Sequence, residues 1–278
     1  MTELQNKTLE LFQVFDKICK KWEIPYFLVC GSVLGAVKYG GFIPWDDDID
    51  VGLLRSDYLR FLSIAPQELP EWCFLQNYKT EENFVHTFSK LRNSNTTFIQ
   101  KNVERVSMNH GIFLDIFPID GHPEGKYESK VFELKRKLNG WVRYSVYTNH
   151  PNSKIRYRNK LLRFLGIHKK AYQAHEYIEK LYAKYLPETS KLWCNYGNWQ
   201  GKLEYAPKWH YGQGTEAVFE GMTVRIPENY DAYLTQKYGD WRSDPPEEKQ
   251  KTHHHSTIID VEKSYTYYFE NSKHCIGD

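Results

Sequence analysis

Apolar residues recur at roughly helical spacing over residues 4–21 (Leu4, Leu9, Leu11, Phe12, Phe15, Ile18, Cys19), and Lys20-Lys21 sit where the helix dipole favours cations. Pro25 ends that helix, and residues 26–30 are a short apolar strand. Gly31-Ser32 then opens a second helix over residues 33–39. Residues 48–53 read as a second strand, and Ser56 caps a helix that runs to Ala65, before a loop bounded by Pro66 and Pro70. Residues 72–78 and 85–91 and the apolar run 110–121 are further strands. The next helix spans residues 176–186 and stops at Pro187, residues 193–201 and 205–211 are aromatic-dense loops, and residues 218–227 form a hairpin turned at Glu220-Gly221. Asn229 caps a last helix to Tyr238, ended by Gly239-Asp240-Trp241 and Pro245-Pro246.

Charge changes this picture first at residues 46–50, where Asp46, Asp47, Asp48 and Asp50 fall within five positions. On a strand the side chains alternate, so Asp48 and Asp50 share one face while Ile49 and Val51 are buried on the other. Two carboxylates aimed the same way repel, and a divalent cation resolves the repulsion. Upstream, a strand, a Gly31-Ser32 turn and a helix offer backbone N–H groups and a hydroxyl to an anion. Lys38 is a further candidate phosphate partner, and Lys90 and Arg92, on one face of their strand, can face a diphosphate. Asp115 lies inside the apolar run 111–118, where a lone carboxylate is costly unless bonded or liganded, and it is the third candidate ligand.

A phosphate turn and three aspartates on two strands are the parts of metal-dependent phosphoryl or nucleotidyl transfer, with Mg²⁺ as the best match to hard oxygen ligands and Mn²⁺ as its substitute. The calcium-loop reading fails because Val51 stands where the sharp-turn Gly is needed and Asp57 replaces the bidentate Glu. A glycosidase pair fits less well, since carboxylates two apart on one strand share an ion more readily than they flank a sugar.

Aromatic residues make up 16% of the chain, with 21 Tyr and 8 Trp. Trp45, Trp193, Tyr196, Trp199, Trp209 and Tyr211 are the candidates for holding a sugar or a quaternary amine. From Leu134 to His175 there are eleven Lys and Arg and no Asp or Glu, where about five acids would fall at the chain's own rate. Aromatics and leucines are interleaved with these cations. Such a region suits a membrane leaflet or a polyanionic acceptor, with nucleic acid and a plain solvated face as rival readings.

The 278 residues suffice for one catalytic unit, residues 1–125, with an extension, residues 126–278, packed on it for donor and acceptor binding. The first residues carry no basic and apolar leader, and no apolar run reaches about 18 residues, so a cytoplasmic address is expected. Five scattered cysteines give no zinc or disulfide spacing. The role of His253-His254-His255 is left open.

The run 31–38 joined to Gly41-Phe42-Ile43-Pro44-Trp45-Asp46-Asp47-Asp48-Ile49-Asp50-Val51 resembles the signature of the LicD family of phosphocholine transferases, which also includes the fukutin-related proteins. Residues 111–118, 230–234, 238–241 and Pro245-Pro246 extend the likeness over most of the chain. The resemblance implies an α/β (α+β) nucleotidyltransferase-like fold, a mixed sheet flanked by helices, followed by a mainly helical, aromatic-rich C-terminal half. It implies a CDP-alcohol donor, usually CDP-choline, and a glycan or lipid-linked glycan acceptor modified at the cytoplasmic, inner face of the membrane; no nucleic-acid partner is expected. The family's metal-binding aspartates fall on Asp48, Asp50 and Asp115, and Lys38 stands where Arg is common. The Cys-rich zinc element of fukutin-related proteins has no counterpart, which favours phosphocholine over ribitol phosphate. Two rivals remain: a nucleotidyltransferase that takes NTP and releases pyrophosphate, and a non-enzymatic choline- or polyanion-binding module.

Overall fold

Ten consecutive buried positions place one long strand at the centre of the sheet, and in this computed structural model, which describes residues 1–198, 200–252 and 255–273, the other elements are arranged about it. In chain order these elements are α1 (Glu3–Lys21), β1 (Phe27–Leu28), α2 (Cys30–Tyr39), β2 (Asp50–Leu54), α3 (Arg55–Glu68), β3 (Cys73–Gln76), β4 (Ser89–Asn93), β5 (Thr97–Gln100) and the central β6 (Ile112–Gly121). There follow α4 (Lys126–Tyr144), α5 (Ser153–Phe164), α6 (Ala171–Tyr182), β7 (Leu192–Cys194), β8 (Tyr205–Pro207), α7 (Lys208–Tyr211), the hairpin β9 (Thr215–Phe219) and β10 (Met222–Ile226), α8 (Tyr230–Tyr238), β11 (Ser256–Asp260) and α9 (Tyr265–Lys273).

The main sheet has the order β1-β2-β6-β4-β3, with β7 on the end of β6 and β8 on β7. It is mixed, since β2 runs parallel to β6 and the remaining pairs are antiparallel. The register sets Asp50 beside Asp115 and Lys90 on the other side of Asp115, a row across three neighbouring strands. Helix α1 begins at a Thr2–Gln5 capping box and turns Phe12, Phe15 and Ile18 into the core beneath this sheet. A smaller cluster of Phe132, Ile178, Leu181, Tyr182 and Tyr196 joins α4 and α6 to β7.

Several predicted boundaries move. Strand β2 starts at Asp50, so Asp48 lies on the approach to the strand rather than in it. Helix α3 starts at Arg55 without a side-chain cap, so Ser56 is not its cap, and it runs through Pro66 to Glu68. Arg55 is drawn inward at that start: it forms a bidentate pair with Asp120 at 2.7 and 2.6 Å and a third bond to Glu179 at 2.5 Å. Strand β4 begins only at Ser89, and Thr87 and Phe88 ahead of it line a cavity. Helix α6 begins earlier than predicted and ends at Tyr182; the hairpin turns at Glu220-Gly221 as expected but starts at Thr215, and α8 follows Asn229, whose side chain donates to Trp209 O instead of capping it. Strands β5 and β11 pair across more than 150 residues, and no local pattern announces them. The C-terminal half therefore adds strands as well as helices.

Candidate active site

The row Asp50–Asp115–Lys90 is the base of the site. Lys90 Nζ lies 2.5 Å from Asp115 Oδ1 and 3.5 Å from the centroid of the Phe113 ring. Burial pulls the Lys90 ammonium down to about 8 against the opposing pull of Asp115. Burial and the neighbouring Asp48, Asp115 and Asp46 push the Asp50 carboxyl well above the usual carboxylate range, with Lys90 pulling the other way. The cluster is short of positive charge.

The acidic loop above this row is clamped from three sides. Two polar residues on the buried face of α1 reach it: Gln5 Nε2 donates to Asp46 O at 2.8 Å, and Thr8 Oγ1 lies 3.3 Å from Asp47 O. Thr252 Oγ1 donates to Asp47 Oδ1 at 2.8 Å. Ahead of the loop, Gly40 ends α2 in the left-handed conformation, and Glu220, at the hairpin turn, donates its N–H to Gly40 O and accepts from Phe42 N. Gly35 admits this loop, since a Cβ there would stand 2.4 Å from Gly41 O.

Ser32 Oγ accepts from Asp50 N at 2.8 Å and is buried, and a Cβ at Gly31 would lie 3.1 Å from Asp46 Oδ2. The turn expected to cradle a phosphate thus holds the aspartates in place, and only Gly31 of the pair borders a cavity. The backbone turns sharply here, with Cys30 at φ 54°.

Two cavities meet at Asp48 and Asp50, each of which lines both. The larger, about 700 Å³, mixes charge: Lys90, Arg136, Lys137 and Arg143 line it together with Asp48, Asp50, Asp115 and Glu133, and Tyr144 and Tyr196 are among its aromatic residues. The smaller, about 440 Å³, is aromatic and acidic, with Trp45, Tyr238 and Trp241 beside Asp46, Asp240 and Asp244.

The predicted residues divide accordingly. Asp48, Asp50, Asp115 and Lys90 come together, Tyr196 joins the larger cavity and Trp45 the smaller. Arg92 does not face a diphosphate: it is buried and donates to Gln76 Oε1 and Gly111 O, holding strand β3 to the start of β6. Lys38 is paired with Asp244 at 2.6 Å. Trp193 and Tyr211 are core residues packed on each other, and the Trp193 indole N–H donates to Pro187 O. Trp209 is exposed on α7, edge-on to His210, and lines neither cavity. Trp199, His253 and His254 lie outside the described residues. Arg136, Arg143, Tyr238 and Trp241 had no site role in the sequence reading. The signal was present in the acid-free run and in the Tyr238-Gly239-Asp240-Trp241 motif, read there as a helix end.

The donor set fits a hard divalent ion, because it offers oxygen ligands only and leaves Asp50 in need of a cation. The carboxylate oxygens of Asp46, Asp47 and Asp48 lie within 4.8 Å of one another, so Asp48 belongs both to this outer trio and to the predicted set with Asp50 and Asp115.

Residues 23–171, which hold the acidic loop, β2, β4 and β6, match the family described as LicD/FKTN/FKRP, nucleotidyltransferase domain. The chain is 31% identical over 267 residues to the lipopolysaccharide cholinephosphotransferase LicD of Haemophilus influenzae, covering 91% of this chain and 96% of that protein. An uncharacterised Rickettsia typhi protein is 30% identical over 136 residues, 48% of this chain and 40% of its own length. The ribitol-5-phosphate transferase FKTN of Mus musculus is 33% identical over 64 residues, 23% of this chain and 14% of its own. With the family match spanning more than half of the chain and a relative aligned almost end to end, this protein belongs to the LicD/FKTN/FKRP nucleotidyltransferase-domain family.

Proposed function

We propose that this protein transfers phosphocholine from CDP-choline to a hydroxyl of a cell-surface glycan precursor, with Mg²⁺ or Mn²⁺, and releases CMP. The observation that carries this reading is the meeting of two cavities at Asp48 and Asp50, one holding four Lys and Arg beside its carboxylates, the other aromatic and mainly acidic. CDP-choline has the same polarity. Its nucleotide end is anionic and suits Lys90, Arg136 and Lys137, with Tyr144 and Tyr196 in the same cavity for the base. Its choline end is a permanent cation with no hydrogen bond to give, and suits Trp45, Tyr238 and Trp241 with their acidic neighbours. The phosphorus bearing the choline then lies at the junction.

Asp48, Asp50 and Asp115 would hold a divalent ion, which when bound would neutralise charge on the diphosphate and make the attacking hydroxyl more acidic. The residues do the rest. The acceptor oxygen forms a bond to the choline-bearing phosphorus, the bond from that phosphorus to the bridging oxygen breaks, and CMP carries that oxygen away. The hydroxyl proton is taken up by a carboxylate of this cluster and passed on to water, with Lys90 holding one oxygen of Asp115 in place. The short match to a ribitol-5-phosphate transferase makes CDP-ribitol the second donor to test.

The test compares CDP-choline, CDP-ethanolamine, CDP-ribitol and CTP, each with metal, by the rise in melting temperature. CDP-choline is expected to give the largest rise. Trp45→Leu is expected to weaken CDP-choline by about 2- to 30-fold, the range of one cation–π contact, and to leave CTP unchanged. Equal stabilisation by CDP-ribitol, or a Trp45→Leu loss shared by CTP, would contradict the choline assignment.

A further inference from the structure

Helices α4 and α5 turn apolar side chains outward as well as inward. On α4, Tyr127, Leu134, Leu138 and Trp141 repeat at helical spacing along one exposed face, while the opposite face buries Phe132 together with Asn139 and Arg143. On α5, Tyr157, Leu161 and Phe164 do the same, opposite Asn159, the helix's one buried residue. Tyr127, Tyr157 and Phe164 are 82%, 72% and 87% exposed, whereas Arg143 and Asn159 are 5% and 1% exposed. The polar residues turned inward are bonded: Asn139 to Ala174 O, Arg143 to Asn139 and Val85 O, and Asn159 to Tyr144 O and Tyr147 O. The arrangement is fixed by those bonds, and it leaves an apolar stripe on each helix facing outward.

The two stripes adjoin. The Arg158 guanidinium of α5 lies 5.3 Å from the centroid of Trp141 on α4. Lys135 and Lys137 flank the α4 stripe, and Lys154, Arg156 and Lys160 the α5 stripe, all within residues 134–175, which carry no acid; Lys130 stands earlier on α4, between Glu128 and Glu133. Leu134, Lys137 and Gly140 also line the larger cavity, so this surface reaches the rim of the candidate site.

We infer that the α4–α5 face docks on an anionic bilayer surface. A soluble polyanion would use the cations and leave Tyr127, Tyr157 and Phe164 unaccounted for. A second copy of the chain, paired face to face, would set cations against cations. A leaflet of acidic lipids meets both features, taking aromatic and leucine side chains at the acyl boundary while its headgroups meet Lys and Arg. Docked this way, the rim at Leu134 and Lys137 opens toward the leaflet, where an acceptor carried on a lipid would stand. This docking is independent of which CDP-alcohol is the donor, and its test does not read turnover.

The test is flotation of the full chain with phosphatidylcholine vesicles and with equal mixtures of phosphatidylcholine and phosphatidylglycerol, at low and at physiological ionic strength. Binding is expected to the mixed vesicles only and to weaken with salt. Lys154→Gln/Arg156→Gln/Lys160→Gln should lose about fivefold per cation, roughly a hundredfold together. Tyr157→Ala/Phe164→Ala should lose about tenfold or more while keeping its melting temperature, because both rings are already in solvent. Absence of binding to mixed vesicles at low salt, or binding of both variants as tight as that of the unaltered chain, would overturn the inference. So would a concentration-dependent dimer that Tyr157→Ala/Phe164→Ala abolishes without any vesicle binding.

Discussion

Replacing Asp50 by Asn should make the metal-free protein more stable and abolish its response to metal. Asp50 is buried, sits directly beside Asp115 in the sheet register, and has Asp48 and Asp46 close enough to push its carboxyl upward. Neighbouring strands are about 5 Å apart, and two unit charges at that distance repel by about 3 kcal/mol at an effective dielectric of 20. Lys90 offsets part of this, which leaves a gain of about 1 to 3 kcal/mol for the neutral isostere. At this chain length that is about 2 to 10 °C in melting temperature. The sign with pH follows: because the folded pKa of Asp50 lies above its unfolded value, the unfolded state ionises first, and stability falls as pH rises from the ordinary carboxylate range through the folded pKa. Asn removes that fall. The assay is thermal denaturation in chelator and then in Mn²⁺ or Mg²⁺, with nucleotide turnover measured alongside. The unaltered chain should gain melting temperature on adding metal, and Asp50→Asn should start higher, gain little and turn nothing over. An Asn variant that is destabilised in chelator, or that gains as much from metal as the unaltered chain, would refute the reasoning.

Gly35→Ala should destabilise by about 2 kcal/mol or more, because backbone overlap with Gly41 O outweighs the roughly 1 kcal/mol that Ala offers inside a helix; a neutral result in urea denaturation would count against the clamped loop. Arg55→Met leaves Asp120 and Glu179 without their cation and should cost about 3 to 5 kcal/mol by the same assay, with an unchanged midpoint contradicting the pairing. Burial holds His175 at about 3 and His110 at about 4, below the ordinary 6.5, so the unfolded state protonates first and stability falls as pH drops below about 6.5. Melting scans should show His175→Phe losing less stability than the unaltered chain over that window, and equal slopes would contradict a neutral buried imidazole.

Whatever announces itself locally was legible in the sequence. Apolar spacing and the terminal Lys20-Lys21 marked α1, the turn Glu220-Gly221 marked the hairpin, and the cost of a carboxylate in an apolar strand singled out Asp115 before its neighbours were known. Pairing across the chain was not legible. Period-two geometry put Lys90 and Arg92 on one face, but only the register shows that Lys90 stands beside Asp115 while Arg92 is used up by Gln76 and Gly111. Aromatic content alone did not separate Trp193 and Tyr211, which pack in the core and line neither cavity, from Trp241, which is buried too but lines the smaller cavity with Trp45. Gln5 and Thr8 were hidden because polar residues on an apolar helix face carry no sign of what they bond.

The most direct measurement of the proposed reaction is a product assay in which the purified chain, Mg²⁺ and CDP-choline labelled in the choline methyls are incubated with precursor glycans, and both nucleotide and glycan are followed. We expect CMP to appear in step with label in the glycan, and neither to appear with Asp48→Ala or in chelator. Pyrophosphate formed from CTP in place of that transfer, or label reaching the glycan at the full rate with Asp48→Ala, would contradict the account.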